Sequence, residues 1–269
     1  MTIEEMKKVK EERGYSYTQL SQYTGIPVST LQKIFTGETA CPRFATRKAL
    51  ENILSGAGAD YGKTPGEMSG TGVEEAAPVY SGSLRQGEET LEDYYRQSQD
   101  RRVELIDGRI YDMSAPDFDH QRVVGEIYFQ IQSFIREHEG KCIPVMSPVD
   151  VRLDCDDRTC VQPDLIVVCK EEQIKKWGIL GAPDFVMEVV SESTRTRDFV
   201  LKLSKYSNAG VKEYWILDPR RKMLIIYDFA GDSWPQIHGL EGKVDIGIYG
   251  GAFQVDLGAV RSLLREWPE

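Results

Sequence analysis

The chain has 269 residues, enough to bury a substantial core in one large domain or in two smaller ones. Its net charge of −10 argues against a protein that coats nucleic acid without specificity. No apolar run approaches the roughly 18 residues of a membrane-spanning helix, and the first residues lack the apolar stretch of a secretory signal, so we expect no membrane partner.

Residues 1–54 have a charge and a pattern of their own. They carry eight basic and six acidic residues, a net of +2, so the remaining chain holds a net of −12. Residues 3–13 predict a first helix, and Ser16 with Gln19 has the spacing of a capping box that starts a second. Pro27 opens a predicted third helix that ends before Gly37, and a fourth runs from about residue 43 to 54.

The segment at residues 15–38 resembles the helix-turn-helix of phage-repressor-like regulators. The matching positions are Leu20, Gly25, Ile26, Leu31, Ile34 and Gly37, followed by Pro42. The resemblance implies that Val28, Ser29, Gln32 and Lys33 face DNA, because the second helix of this motif enters the major groove. Val28 and Pro27 depart from the polar residues that are usual at their positions. A small helical bundle that docks on a protein partner is the alternative.

Residues 55–85 are dominated by Gly, Ala, Ser, Thr, Pro and Glu and keep no apolar periodicity. This composition is typical of a flexible linker. We therefore predict three parts: a helical domain at 1–54, a linker at 55–85, and a larger domain at 86–269.

The larger domain is predicted to be mixed α/β. Asp107-Gly108 lies between two alternating apolar runs and indicates a β-hairpin. The other predicted elements are a short helix near 91–98, an amphipathic helix at 119–138, strands near 142–153, 161–169 and 184–190, a helix near 195–208, two strands within 213–228, an edge strand, and a terminal helix from about 260. This order indicates a central mixed sheet flanked by helices.

Two acidic residues interrupt consecutive apolar runs of this domain. Asp164 in Val-Gln-Pro-Asp-Leu-Ile-Val-Val and Glu188 in Pro-Asp-Phe-Val-Met-Glu-Val-Val are each predicted to lie at the centre of a buried strand. An unpaired buried carboxylate costs several kcal/mol, roughly, unless a cation or hydrogen bonds compensate it. A divalent metal between the two predicted strands would compensate both. Lys202 follows on the next predicted helix, and two acids with a lysine suit metal-dependent phosphodiester cleavage.

Several segments together resemble the Uma-type restriction endonuclease family, a branch of the PD-(D/E)XK nuclease superfamily. The matching segments are Glu-Leu-Ile-Asp-Gly at 104–108, His120-Gln121, Gln-Pro-Asp at 162–164, Gly-Ala-Pro-Asp at 181–184, Glu-Val-Val-Ser at 188–191, Ser193-Thr194, Asp198, Lys202, Tyr206, and Gly-Val-Lys-Glu-Tyr-Trp-Ile-Leu-Asp-Pro at 210–219. The resemblance implies a restriction-endonuclease-like fold, Mg2+ dependence with Mn2+ able to substitute, and a DNA substrate. Val190 stands where the superfamily motif has lysine, and the resemblance suggests that Lys202 replaces it.

The chemistry assigns a role to each residue of this set. Asp164 and Glu188 would give Mg2+ the oxygen ligands it prefers, and Lys202 would orient the attacking water or stabilise the phosphorane oxyanion. Glu104 is a candidate for a second metal or for supporting the ligands, and His120 for a phosphate contact or a proton carrier. One further residue, Tyr206, lies one turn beyond Lys202 and is expected to hold it.

Each of these roles has a plainer alternative. Asp164 could be a turn residue at the start of a strand, and Glu188 could pair with a core arginine. Asp198 and Lys202 could form a surface pair four residues apart on one helix.

Two further alternatives concern His120 and Glu104. His120 could cap the helix that begins near Asp119, and Glu104 could be an exposed strand residue. For the whole chain, we expect a DNA endonuclease that works as a homodimer, since cutting both strands needs two active sites. The alternative is a non-catalytic DNA-binding regulator that keeps the nuclease fold as a scaffold.

The five cysteines, Cys41, Cys142, Cys155, Cys160 and Cys169, form no paired motif. An odd number without such motifs favours reduced thiols in a cytoplasmic protein. Cys155 and Cys160 could together contact one metal ion, but no second pair completes a zinc site.

Overall fold

The structure is a computed structural model, which describes residues 1–37, 42, 44–55, 87–153, 157–191, 194–195, 197–231 and 234–265. The chain forms two compact units, Met1–Gly87 and Glu88–Glu269. Apart from Ser55, the predicted linker lies outside the described residues, as do Cys41 and Cys155. No helix in the described ranges is both long enough and apolar enough to span a bilayer.

The first unit consists, in its described part, of four helices: α1 (Ile3–Glu12), α2 (Tyr17–Thr24), α3 (Val28–Phe35) and α4 (Phe44–Leu54). Their apolar faces share one core, built around Met6, Leu20, Leu31, Ile34 and Leu50. Burial of these side chains, rather than helix propensity, stabilises helices as short as eight residues.

The predicted signals for α2 and α3 are confirmed. Ser16 and Gln19 form a capping box, in which each side chain accepts a hydrogen bond from the other residue's backbone N–H. Gly25 ends α2 with a φ of 70°, a left-handed conformation that glycine adopts without strain. Pro27 then occupies the cap position of α3 without a side-chain hydrogen bond.

The second unit combines strands and helices around a central sheet. Its helices are α5 (Leu91–Gln97), α6 (Phe118–Glu137), α7 (Leu203–Ala209) and α8 (Leu257–Leu263). Its strands are β1 (Val103–Ile106), β2 (Arg109–Asp112), β3 (Ile143–Met146), β4 (Asp150–Arg152), β5 (Leu165–Val168), β6 (Ile174–Lys175), β7 (Gly178–Leu180), β8 (Phe185–Val189), β9 (Glu213–Asp218), β10 (Met223–Asp228), β11 (Gln236–Gly239), β12 (Lys243–Asp245) and β13 (Gln254–Asp256).

Within the described residues, six strands form the central sheet, in the order β11-β10-β9-β8-β5-β3. The sheet is mixed, because β8 and β9 run parallel and the other neighbours run antiparallel. Along β5 and β8, side chains alternate between the two faces. Leu165, Val167 and Met187 pack against α6, while Ile166 and Val186 lie in the cluster that contains Tyr206 of α7.

The hairpin predicted at Asp107-Gly108 is confirmed. β1 and β2 pair antiparallel with Ile106 opposite Arg109, so the loop has two residues. Both loop residues have positive φ, 50° at Asp107 and 72° at Gly108, as the tight turns of twisted hairpins require.

Three predicted elements have different bounds in the structure. The strand predicted at 142–153 is two strands in different sheets, β3 and β4. The strand predicted at 161–169 begins only at Leu165, so Asp164 precedes β5 instead of lying at its centre. The helix predicted near 195–208 consists of a π-helical segment, Arg197–Lys202, followed by α7.

The prediction that the cysteines are reduced thiols is wrong for one pair. A disulfide joins Cys142 and Cys169, whose Cα atoms lie 4.1 Å apart. Because β3 and β5 pair with Ile143 opposite Val168, continuing the register by one residue brings the two cysteines together. Cys160 is a buried free thiol. The zinc alternative also needs Cys155, which lies outside the described residues.

Candidate nuclease site

Asp164 and Glu188 lie opposite each other on one face of the central sheet. β5 and β8 pair antiparallel with Leu165 opposite Met187, and the register extended by one residue sets Asp164 across from Glu188. Side chains of opposed residues point to the same face. A hydrogen bond of 2.8 Å from the Val189 N–H to Asp164 Oδ2 fixes Asp164 against β8.

Glu188 is 3% exposed and accepts two hydrogen bonds on one oxygen. Lys202 Nζ lies 2.9 Å and the Tyr206 hydroxyl 2.6 Å from Glu188 Oε1. Burial raises the pKa of Glu188 well above its usual range; Lys202 opposes this rise, and the charge of Asp164 adds to it. A cation added beside the two carboxylates would therefore be favourable.

Lys202 is buried at the centre of a group of carboxylates. Its Nζ lies 2.8 Å from Glu104 Oε1, 2.9 Å from Glu188 Oε1 and 3.7 Å from Asp198 Oδ1. Burial alone would lower the pKa of Lys202, but the three carboxylates outweigh it and raise that pKa well above its usual value. Lys202 is therefore charged. Val190, at the position where the motif described above has a lysine, is a core residue that is 6% exposed.

Glu104 is fully buried and binds three donors. Besides Lys202, it accepts a hydrogen bond of 2.9 Å from the Gln162 N–H and one of 3.3 Å from Arg197 Nη1. The alternative that Glu104 is an exposed strand residue is therefore wrong. The chain places two cations beside this one carboxylate, which compensates the cost of burying it.

Asp198 and Lys202 are not a surface pair, since they are only 2% and 3% exposed. Burial raises the pKa of Asp198 to about 6, against the lowering effects of Lys202 and of a hydrogen bond from Thr194. The expected contact of Tyr206 with Lys202 is also wrong, since the Tyr206 hydroxyl donates to Glu188 instead. Lys202 and Tyr206 thus both bind the same oxygen of Glu188, Oε1.

His120 lies at the other end of the site, beside Asp164. Its Nε2 is 3.0 Å from Asp164 Oδ2. Asp117, and not His120, caps α6, because the Asp117 side chain accepts a hydrogen bond from the His120 N–H. Burial lowers the pKa of His120, but the hydrogen bond and charge of Asp164 outweigh it, and the net shift is upward. His120 Nδ1 is buried without a hydrogen-bond partner among the described residues.

The carboxylates line a cleft of about 1240 Å³. Basic residues line the same cleft, namely Arg102, Arg197, Arg220, Lys222, Arg261 and Arg265. Sequence reasoning did not identify these basic residues, because they come from five separate segments that only the fold brings together. Arg197 and Arg265 lie in segments predicted to be helices, where a charged residue is ordinarily on the solvent face.

The residues around Asp164 and Glu188 fit a divalent cation of the magnesium type. Within the described residues, no group of three or more His, Cys, Asp and Glu side chains is arranged to hold a metal ion. Mg2+ does not need such a cage, because it retains several waters and uses one or two carboxylates. In the described part of the chain, hydrogen bonds reach only Oδ2 of Asp164 and Oε1 of Glu188, so each carboxylate keeps a second oxygen for a ligand role.

The residues predicted to face DNA lie on α3 of the first unit. Ser29, Gln32 and Lys33 are exposed, and Val28 is half-buried. The buried face of α3 is formed by Leu31, Ile34 and Phe35. The exposed face therefore presents polar and basic side chains.

Comparisons with known proteins agree with this architecture. Residues 89–246 match the family model "Uma2: Putative restriction endonuclease", and residues 6–55 match a "Helix-turn-helix" model. One solved structure with the same fold is the "putative nuclease belonging to DUF820 from Anabaena variabilis ATCC 29413"; it is 16% identical, with a TM-score of 0.54 over 65% of this chain and 99% of that chain. No curated protein matches the chain.

The predicted resemblance and the predicted fold class, a central mixed sheet preceded by a helical region, are both confirmed. The solved structure supports the fold alone at this level of identity. The Uma2 match covers more than half of the chain. The chain therefore belongs to the Uma2 restriction endonuclease family.

Proposed function

We propose that this protein is a Mg2+-dependent DNA endonuclease that hydrolyses phosphodiester bonds, with Mn2+ able to substitute. Residues 86–269 would carry the chemistry, residues 1–54 would bring it to DNA, and residues 55–85 would join the two. The observation that carries the proposal is the opposition of Asp164 and Glu188 on one sheet face, with a buried lysine beside them.

Asp164 and Glu188 would hold the metal through the oxygens that accept no hydrogen bond within the described residues. When bound, a metal of this kind lowers the pKa of a coordinated water and offsets charge on the phosphate. The raised pKa of Glu188 supports this assignment, since its partly uncompensated charge would bind a cation favourably.

Lys202 would position the attacking water and stabilise charge that develops on the phosphate oxygens. Its ammonium is fixed by Glu104, Glu188 and Asp198, so it is already oriented before substrate binds. Glu104 would act by holding Lys202, and Tyr206 by fixing Glu188 Oε1. Both are therefore positioning residues.

His120 would form one hydrogen bond with Asp164 and a second with the substrate. Its upward-shifted pKa favours the protonated form, in which Nε2–H donates to Asp164. Nδ1–H would then donate to a phosphate oxygen or carry a proton to the leaving oxygen. The missing partner of Nδ1 within the described residues supports a ligand contact there.

The first unit would bind duplex DNA through α3. Ser29, Gln32 and Lys33 would reach base edges and phosphates, and Val28 would pack on the groove wall. Two copies of the chain would act together, because breaking both strands needs two sites and repressor-like domains often bind paired half-sites.

Plasmid cleavage tests the proposal. The purified protein should nick or linearise supercoiled DNA in Mg2+, and Asp164→Asn and Glu188→Gln should each abolish this. Glu213→Gln is the matched control. Glu213 is a buried carboxylate on the adjacent strand β9; it accepts a hydrogen bond from Trp215 Nε1 and does not line the cleft. Undiminished cleavage by both site variants would reject the proposed site.

One observation favours the non-catalytic alternative. Lys202 already compensates Glu104, Glu188 and Asp198, as a structural cation would. In that case neither Mg2+ nor Mn2+ would bind, DNA binding would depend wholly on residues 1–54, and no cleavage would occur under any metal condition.

A further inference from the structure

The strand β11 forms an exposed edge of the central sheet. It is the last strand in the sheet order, and within the described residues its backbone hydrogen bonds join it to β10 alone. Ile237 of this strand is 68% exposed, and Trp234, two residues before the strand, is 89% exposed. The outer side of β11 therefore presents backbone N–H and C=O groups next to apolar side chains.

This segment lacks the features that usually protect an edge strand. Proteins block such edges with charged side chains, with a proline inside the strand or with a β-bulge. Residues 234–239, Trp-Pro-Gln-Ile-His-Gly, contain no Lys, Arg, Asp or Glu, and Pro235 precedes the strand. The register with β10 is continuous from Gln236 to Gly239, so these four residues form no bulge. An uncharged and regular edge of this kind can accept a further strand.

The opposite edge of the sheet, β3, is blocked. Pro144 lies inside β3 and has no N–H to donate to a further strand. Pairing of β11 with β3 of another copy is therefore unfavourable, and such head-to-tail pairing would also extend without closing. Pairing of β11 with β11 instead uses up the free edge of both copies and closes the assembly at two.

A two-fold axis at Ile237 suits the side chains of β11. Across such an axis, two antiparallel residues face each other when they lie at equal distances on either side of the axial residue. Ile237 would then lie beside Ile237 of the second copy, and Gln236 would lie opposite His238 of the second copy. Apolar residues thus meet apolar ones and polar residues meet polar ones, and no Lys, Arg, Asp or Glu of 234–239 meets its own copy.

We propose that β11 pairs antiparallel with β11 of a second copy of this chain, so that the two central sheets become one continuous sheet. Ile237 and Trp234 would lose their exposure in this dimer. The interface rests on the proposed function only for its purpose, because a double-strand break needs two active sites. Its existence is tested without cleavage.

The mass of the full chain in solution tests the interface. Sedimentation equilibrium over a concentration series should give a dimer for wild type. Ile237→Lys places two ammonium groups beside the axis, so it should raise the dimer dissociation constant about a hundredfold. Ile143→Lys is the matched control, because Ile143 is an exposed isoleucine on the blocked edge β3, and this variant should dimerise like wild type.

Cross-linking gives a second measurement, which does not depend on disrupting the strand. Opposed residues of antiparallel strands have Cβ atoms about 4.5–5.5 Å apart, so Ile237→Cys should form a disulfide between two copies on mild oxidation. Wild type and Phe129→Cys should not form this product, since Phe129 is exposed on α6, away from β11 in the sequence and in the sheet. Non-reducing electrophoresis detects the linked dimer.

A wild-type chain that stays monomeric throughout the concentration series would overturn the interface. A dimer that Ile237→Lys leaves intact would do the same, because the two copies would then meet elsewhere, and so would the absence of a cross-link in Ile237→Cys. A dimer that Ile237→Lys dissociates, in a protein that cleaves no DNA, would instead reject the proposed nuclease and leave the interface standing.

Discussion

Replacing Lys202 by methionine tests how the buried carboxylates are compensated. The substitution keeps the length of the side chain and removes an ammonium that lies within 3.7 Å of three carboxylates. Removing one partner of a buried ion pair typically costs about 3–5 kcal/mol. Arg197 still compensates Glu104, so we expect a loss of about 4 kcal/mol in the free energy of unfolding at pH 8.

The loss should depend on pH in a defined direction. Lys202 lowers the pKa of both Glu188 and Asp198, so both values rise when it is removed. An acid whose folded pKa lies above its unfolded value contributes stability at low pH and loses it as pH rises through the folded pKa. The cost of Lys202→Met should thus be small near pH 5, where the folded variant takes up protons, and large at pH 8.

Urea denaturation followed by tryptophan fluorescence at pH 5 and pH 8 measures this difference. Lys212→Met is the matched control, because Lys212 pairs with buried Asp184 at 2.7 Å but is itself 52% exposed. Its cost should be well below that of Lys202→Met. Equal losses for Lys202→Met at both pH values, or a loss under about 1 kcal/mol, would refute the reasoning.

Three further outcomes are expected. Asp198→Asn removes an acid whose pKa rises from 3.8 to about 6 on folding. The free energy of unfolding should therefore fall less between pH 4 and pH 8 in this variant than in wild type, by up to roughly 3 kcal/mol. An unchanged pH dependence of that free energy, measured by urea titration, would contradict the assignment. Tyr206→Phe removes a hydrogen bond of 2.6 Å to Glu188, and should slow cleavage and shift its pH profile while leaving duplex affinity intact, as measured by nicking rates and gel shift. Gln32→Ala combined with Lys33→Ala should weaken duplex binding about tenfold in gel shifts, and an unaltered affinity would argue for a protein partner at α3.

The sequence was sufficient to propose that Asp164 and Glu188 share a metal between two neighbouring strands. Apolar runs predicted the two strands, whereas their antiparallel direction and register, which set the two residues opposite each other, come from the structure. The start of β5 was misplaced, because Val161 pairs with Val151 outside the central sheet and Pro163 separates it from the strand that begins at Leu165. That error did not alter the pairing, since Asp164 still continues the register.

Contacts that depend on tertiary structure could not be predicted. The spacing predicts that Tyr206 lies one helical turn from Lys202. It does not predict which residue of the sheet the Tyr206 hydroxyl contacts, and in the structure this is Glu188. Glu104 and Arg197 are 93 residues apart, and their contact depends on how the hairpin meets the π-helical segment. The disulfide between Cys142 and Cys169 likewise follows from the pairing of β3 and β5. No cysteine motif in the sequence predicts that pairing.

Binding of Mn2+ measured by calorimetry tests the central claim that Asp164 and Glu188 together hold a divalent cation. The wild-type protein should take up Mn2+, the Asp164→Asn and Glu188→Gln variants should lose that uptake, and Glu213→Gln should retain it. Equal Mn2+ uptake by all four proteins, or none by the wild type, would contradict the account.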